Sequence, residues 1–171
     1  MPRNGLLSCA LLLMSSQPAL AAPAPKPQAP RKSVVAQVDT VSCTIRSLHG
    51  SSAPGGVDKR LRFLRKQLSR PPFSAYKTIK LLDAKQLAVP QKATRQIKLP
   101  TGKILKLTFR EKLLERRGQV RLRLHLSITP PKKTKFLPGT VYTIADRGTL
   151  LVAGDRYKDG TLVVAITCQH K

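Results

Sequence analysis

Two neighbouring stretches, Lys103–Leu113 and Gln119–Thr129, alternate apolar and polar residues. A period of two fits an extended strand, whose successive side chains point to opposite faces, and does not fit a helix. In the first stretch Leu105, Leu107 and Phe109 share one face, and Lys106, Thr108, Arg110 and Lys112 share the other. In the second, Val120, Leu122, Leu124, Leu126 and Ile128 alternate with Arg121, Arg123, His125 and Ser127. Glu115-Arg116-Arg117-Gly118 lies between them and predicts a hairpin. Folding about that turn sets Phe109 opposite Leu124 and Leu107 opposite Leu126. The same register sets Lys112 beside Arg121 and Arg110 beside Arg123.

The rest of the chain is read around this hairpin. Val34–Ile45 is rich in β-branched residues and predicts the first strand, and Ser47–Gly56 predicts a loop. Val57–Arg70 predicts the one amphipathic helix: Val57, Leu61, Leu64 and Leu68 form an apolar stripe, Asp58 suits its start, and Pro71-Pro72 stops it. On the wheel Lys59, Arg62, Lys66 and Arg70 lie opposite that stripe. Strands are predicted at Tyr76–Leu82, Ala93–Leu99, Val141–Ala145, Thr149–Ala153 and Thr161–Cys168. Pro100-Thr101-Gly102 is a three-residue hairpin loop with glycine in the left-handed position. Leu162–Ile166 is apolar on both faces and predicts a central, doubly covered strand. These elements make a mainly β fold: an antiparallel β-sandwich or partly open barrel, with one short amphipathic helix closing an end.

The N-terminus sets the expected compartment. Arg3 precedes the apolar run Leu6–Met14, and Ala19-Leu20-Ala21 follows a polar stretch, the layout of a secretory signal peptide over residues 1–21. The run is too short to span a bilayer. Leu6-Leu7-Ser8-Cys9 also loosely resembles a lipoprotein acylation box, although the apolar run continues past Cys9. Residues 22–33 form a Pro/Ala-rich linker, and 34–171 a single β-rich domain. Removing the leader removes Cys9 and leaves Cys43 and Cys168, an even pair in an oxidising compartment. A disulfide between them is expected to join the first and last strands.

The chain carries 32 Lys+Arg against 8 Asp+Glu, a formal net charge of +24. Such a field points either to a polyanionic partner or to a strongly solubilised surface. The partners this admits are lipopolysaccharide, another anionic envelope polymer, nucleic acid, an acidic protein or an anionic membrane surface. With no Trp, three Tyr and four Phe, stacking platforms for single-stranded bases are scarce, and Phe63, Phe73, Phe109 and Phe136 are expected to be core or anchor residues. Like charges opposite one another on a sheet are destabilising unless something offsets them. Lys106, Arg110, Lys112, Arg121 and Arg123, with Arg116 and Arg117 at the tip, are therefore the candidate polyanion-binding ridge. Lys59, Arg62, Lys66 and Arg70 form a secondary basic face.

Catalytic material is sparse. His49, His125 and His170 are scattered without paired ligand spacing, and no nucleophile elbow, paired-cysteine zinc pattern or phosphate loop occurs. Asp155 and Asp159 read as turn formers. The sequence implies no enzyme, cofactor, metal or small-molecule substrate. Taken together, Leu68–Lys77, Leu99–Lys103 and Gly148–Gly154 resemble small exported β-rich proteins of unassigned function from Gram-negative bacteria. The last segment is also similar to the Gly-x-x-Leu-x-x-Gly-Gly strand of outer-membrane secretins, lacking the second adjacent glycine. The resemblance implies export and a β fold, with no catalytic residues to carry over. The expected function is a binding or structural module of the envelope, periplasmic or extracellular. The alternatives are an accessory subunit of a secretion or pilus assembly that pairs through a strand edge, and, more remotely, a hydrolase built on the histidines.

Overall fold

The computed structural model describes residues 39–115, 118–129 and 139–171. The expected leader, the linker, residues 34–38, Arg116, Arg117 and Phe136 lie outside the described residues. Among those described, nine strands form two sheets. The strands are β1 Thr40–Ser51, β2 Gly56–Val57, β3 Thr78–Pro90, β4 Thr94–Lys98, β5 Ile104–Leu114, β6 Val120–Thr129, β7 Thr140–Ala145, β8 Thr149–Tyr157 and β9 Gly160–His170. One sheet runs β2-β3-β1-β9-β8 and the other β4-β5-β6-β7. All pairings are antiparallel except β2 with β3.

The sheets pack face to face over a core that includes Val41, Cys43, Ile45, Leu107, Phe109, Leu124 and Ile166. The five-stranded sheet is covered on its other face as well. Leu48, Ile79, Val163 and Ala165 there meet Leu61, Leu64 and Leu68 of the helical segment. This three-layer arrangement explains the run Leu162–Ile166. β9 sits between β1 and β8, sending Leu162, Val164 and Ile166 to the inter-sheet core and Val163 and Ala165 to the helical layer. Cys43 and Cys168 face each other on β1 and β9 and form the expected disulfide, side by side within one sheet (S–S 2.08 Å, Cα–Cα 4.1 Å).

Several boundaries differ from the sequence reading, each for a tertiary reason. β1 begins at Thr40 among the described residues and runs on to Ser51, through half of the expected loop. Its C-terminal half pairs on both sides, with β3 and β9, so neighbours override the turn-like composition. Gly50 is there for close approach, since a Cβ at that position would lie 2.8 Å from the Tyr76 ring. β3 extends past Leu82 to Pro90, with a register shift opposite Ser47/Leu48. Gly102 does adopt the expected left-handed conformation, φ +80°.

The expected helix is also divided. Val57 belongs to β2 and is partly exposed, so it leaves the apolar stripe. Asp58 then caps a 3-10 turn, Lys59–Leu64, its carboxylate accepting the Arg60 backbone N–H at 2.9 Å. One α-turn follows, Arg65–Leu68. The backbone leaves helical geometry at Leu61 (φ −105°, ψ 16°), so no single regular helix runs through the segment. Leu61, Leu64 and Leu68 are nonetheless the residues the sheet buries.

The predicted hairpin is present and the pairs Phe109–Leu124 and Leu107–Leu126 are as expected. Beyond Phe109 the register shifts at Arg110, and Glu111, not Arg110, lies opposite Arg123. Leu113 faces Arg121, and Lys112 faces Leu122. One extra residue in a strand exchanges the two faces of everything beyond it. The expected contacts Lys112–Arg121 and Arg110–Arg123 are therefore not formed.

Candidate functional site

The register shift dismantles the ridge of like charges. Arg123 meets Glu111 at 2.5 Å and Arg121 meets Glu115 at 2.9 Å, so opposite charges now lie across the hairpin. Lys112 is turned to the inner rim of the sandwich, where its Nζ lies 3.0 Å from His170 and 3.6 Å from Asp39. Lys106 lies between Gln96 and Ser127 on the outer face, and Arg110 is exposed at the bulge. Arg116 and Arg117 lie outside the described residues. The expected site residues are thus split between ion pairs, an inter-sheet rim and an open face.

The helical segment presents a different picture. Lys59, Arg60, Arg62, Arg65, Lys66 and Arg70 are all exposed. The only carboxylate of the segment, Asp58, is engaged by Arg60 at 2.7 Å. The remaining seven acids are likewise held by basic groups elsewhere: Asp39, Asp83, Glu111, Glu115, Asp146, Asp155 and Asp159. Among the described residues, Lys59, Arg62, Arg65, Lys66 and Arg70 consequently have no carboxylate partner. Arg65 and Arg60 were not among the expected face residues, because an ideal α-helical wheel spreads them sideways. The segment instead breaks into short turns with a kink at Leu61, and Arg60 and Arg65 stand exposed along with Lys59, Arg62 and Lys66.

Asp58 anchors this layer. Its carboxylate accepts from the Arg60 side chain and backbone and from the Leu81 backbone N–H at 3.3 Å. These bonds, the Arg60 guanidinium foremost, hold the carboxyl well below the usual carboxylate range. A folded-state value below the unfolded one means that the stabilisation is complete above the unfolded value, ~3.9. It declines progressively as the pH falls below that value and is gone once the depressed folded value is passed. An Asp58 carboxyl titration followed by NMR should show no midpoint in the ordinary range, and Asp58→Ala should increase amide exchange at Arg60 and Leu81. An ordinary midpoint, or unchanged exchange, would contradict this anchoring.

The histidines occupy separate places. His49 stands on β1, not in a loop, 3.2 Å from Asp159 and edge-on to Tyr157. His170 closes the other end of β9 beside Asp39 and Lys112, and His125 lies on the outer face of β6. No group of three or more His, Cys, Asp or Glu among the described residues could hold a metal ion. Nor, among them, is any helix long and apolar enough to cross a membrane. No protein-family model, curated protein or solved structure matches the chain.

Proposed function

We propose that this protein is an exported, non-enzymatic binding module of the cell envelope that docks electrostatically on a polyanion. The partner class is lipopolysaccharide, another anionic envelope polymer, nucleic acid or an acidic protein. One observation carries the reading: among the described residues, five exposed cations of the helical layer lack a carboxylate partner, while all eight Asp and Glu side chains already lie against basic groups. Unpaired like charges crowded on a short segment repel one another, and an anion relieves that repulsion. The weight therefore falls on the helical basic face, Lys59, Arg62, Lys66 and Arg70, joined by Arg65. Export is supported by the Cys43–Cys168 bond, which persists in an oxidising compartment, and by the leader-like N-terminus.

The protein is expected to be retained on immobilised heparin at low ionic strength, to elute as salt rises, and to pass through an uncharged matrix. A second reading, strand-edge pairing within a secretion or pilus assembly, draws on β7. Thr140–Ala145 is an edge strand with no charged residue and no proline, and Val141 is exposed. Capture of an envelope partner that survives high salt and is lost in Val141→Lys would favour that reading over the electrostatic one.

A further inference from the structure

We infer that the helical layer docks on an anionic lipid surface, with Phe63 as its apolar anchor. This rests on the electrostatic reading above and goes beyond it by naming the partner. Phe63, expected to be a core or anchor residue, is 55% exposed and so is not part of the core. In the chain it is flanked by the exposed cations Lys59, Arg60 and Arg62 on one side and Arg65 and Lys66 on the other. One face of its ring rests on the Arg46 guanidinium of β1, 4.7 Å away, and the rest is open to water. The Arg46 contact holds the ring in place, and Leu61, Leu64 and Leu68 already bury the segment, so the exposed part of Phe63 is left to meet a partner.

A bilayer headgroup region meets both halves of this surface at once. Its phosphates attract a crowded basic segment, and its acyl boundary takes the exposed part of an aromatic ring. A free polyanion in water answers only the first. Arg46 adds a further point of complementarity. Its Nη1 is buried without a hydrogen-bond partner, and burial disfavours its charged form. A phosphate oxygen admitted as the ring moves outward into the lipid would supply the missing acceptor.

The chain contains no Trp, so Phe63→Trp creates a single reporter. With vesicles of equal parts phosphatidylglycerol and phosphatidylcholine its emission should shift to the blue. With phosphatidylcholine alone, or with heparin, it should not. Phe63→Ser should bind the anionic vesicles roughly tenfold more weakly, the worth of partly burying one phenyl ring, while its heparin binding is unchanged. An unchanged thermal unfolding transition by circular dichroism shows that the variant folds. Equal vesicle affinity for Phe63→Ser and the unaltered chain, with no emission shift, would overturn the anchor and leave the electrostatic reading standing. So would tight duplex DNA binding that Phe63→Ser abolishes while vesicle binding persists. Loss of both heparin and vesicle binding by the unaltered chain would remove the two proposals together.

Discussion

Replacing Cys43 and Cys168 together with alanine is expected to cost the domain about 5 kcal/mol, the loop-closure value for a sequence separation of 125. Folded domains are stable by only about 5–15 kcal/mol in total, so the substitution takes a third or more of the margin. The bond joins β1 to β9, two of the three inner strands of the five-stranded sheet. Both strands contribute to the inter-sheet core and to the face under the helical layer. Loss of the cross-link therefore loosens the platform that displays the basic segment as well as the sandwich itself. The check is denaturant unfolding with and without reductant. The unaltered chain should lose several kcal/mol on reduction, and the double variant should not respond. Identical curves for the unaltered chain in the two conditions would show that the bond contributes nothing measurable.

The second large effect concerns binding. Changing Lys59, Arg62, Lys66 and Arg70 to serine should weaken binding to an anionic polymer about a thousandfold at low salt, taking ~1 kcal/mol for each cation near an anionic surface. A matched variant carrying serine at Lys106, Arg110, Arg121 and Arg123 removes the same formal charge. Its effect should be far smaller, because Glu111 and Glu115 already lie against Arg123 and Arg121. Because the two variants alter net charge equally, any difference between them reports where the polymer sits. Titration of heparin into both proteins makes the comparison. A larger loss from the hairpin variant would return the site to the β5–β6 face.

The β architecture was legible from two periods in the chain. Alternation through Leu105–Phe109 and Leu122–Ile128 set the hairpin, and the unbroken apolar run at Leu162–Ile166 announced a strand covered on both faces. What could not be read was an extra residue at Arg110, whose insertion keeps the local composition unchanged while exchanging the faces of all that follows. That single shift turned an expected ridge of repulsion into the pairs Arg123–Glu111 and Arg121–Glu115. Gly50 misled in the opposite sense. Glycine signals a turn when nothing else is known, but here it admits the Tyr76 ring against a strand. The helical layer was half legible: its buried leucines were identified, while the division of the expected helix into short turns follows from the capture of Val57 by β3 and the kink at Leu61, which no local pattern marks. Phe63 carries no sequence mark that separates an exposed phenylalanine from a buried one.

The dependence of polyanion affinity on salt tests the central claim most directly. If Lys59, Arg62, Arg65, Lys66 and Arg70 all meet phosphates, log K for duplex DNA should fall linearly with log salt at a slope of about −4 to −5, taking ~0.9 per contact. Serine at Lys59, Arg62, Lys66 and Arg70 should bring that slope to roughly −1. A flat salt dependence in the unaltered chain, or a variant that keeps the steep slope, would contradict the account.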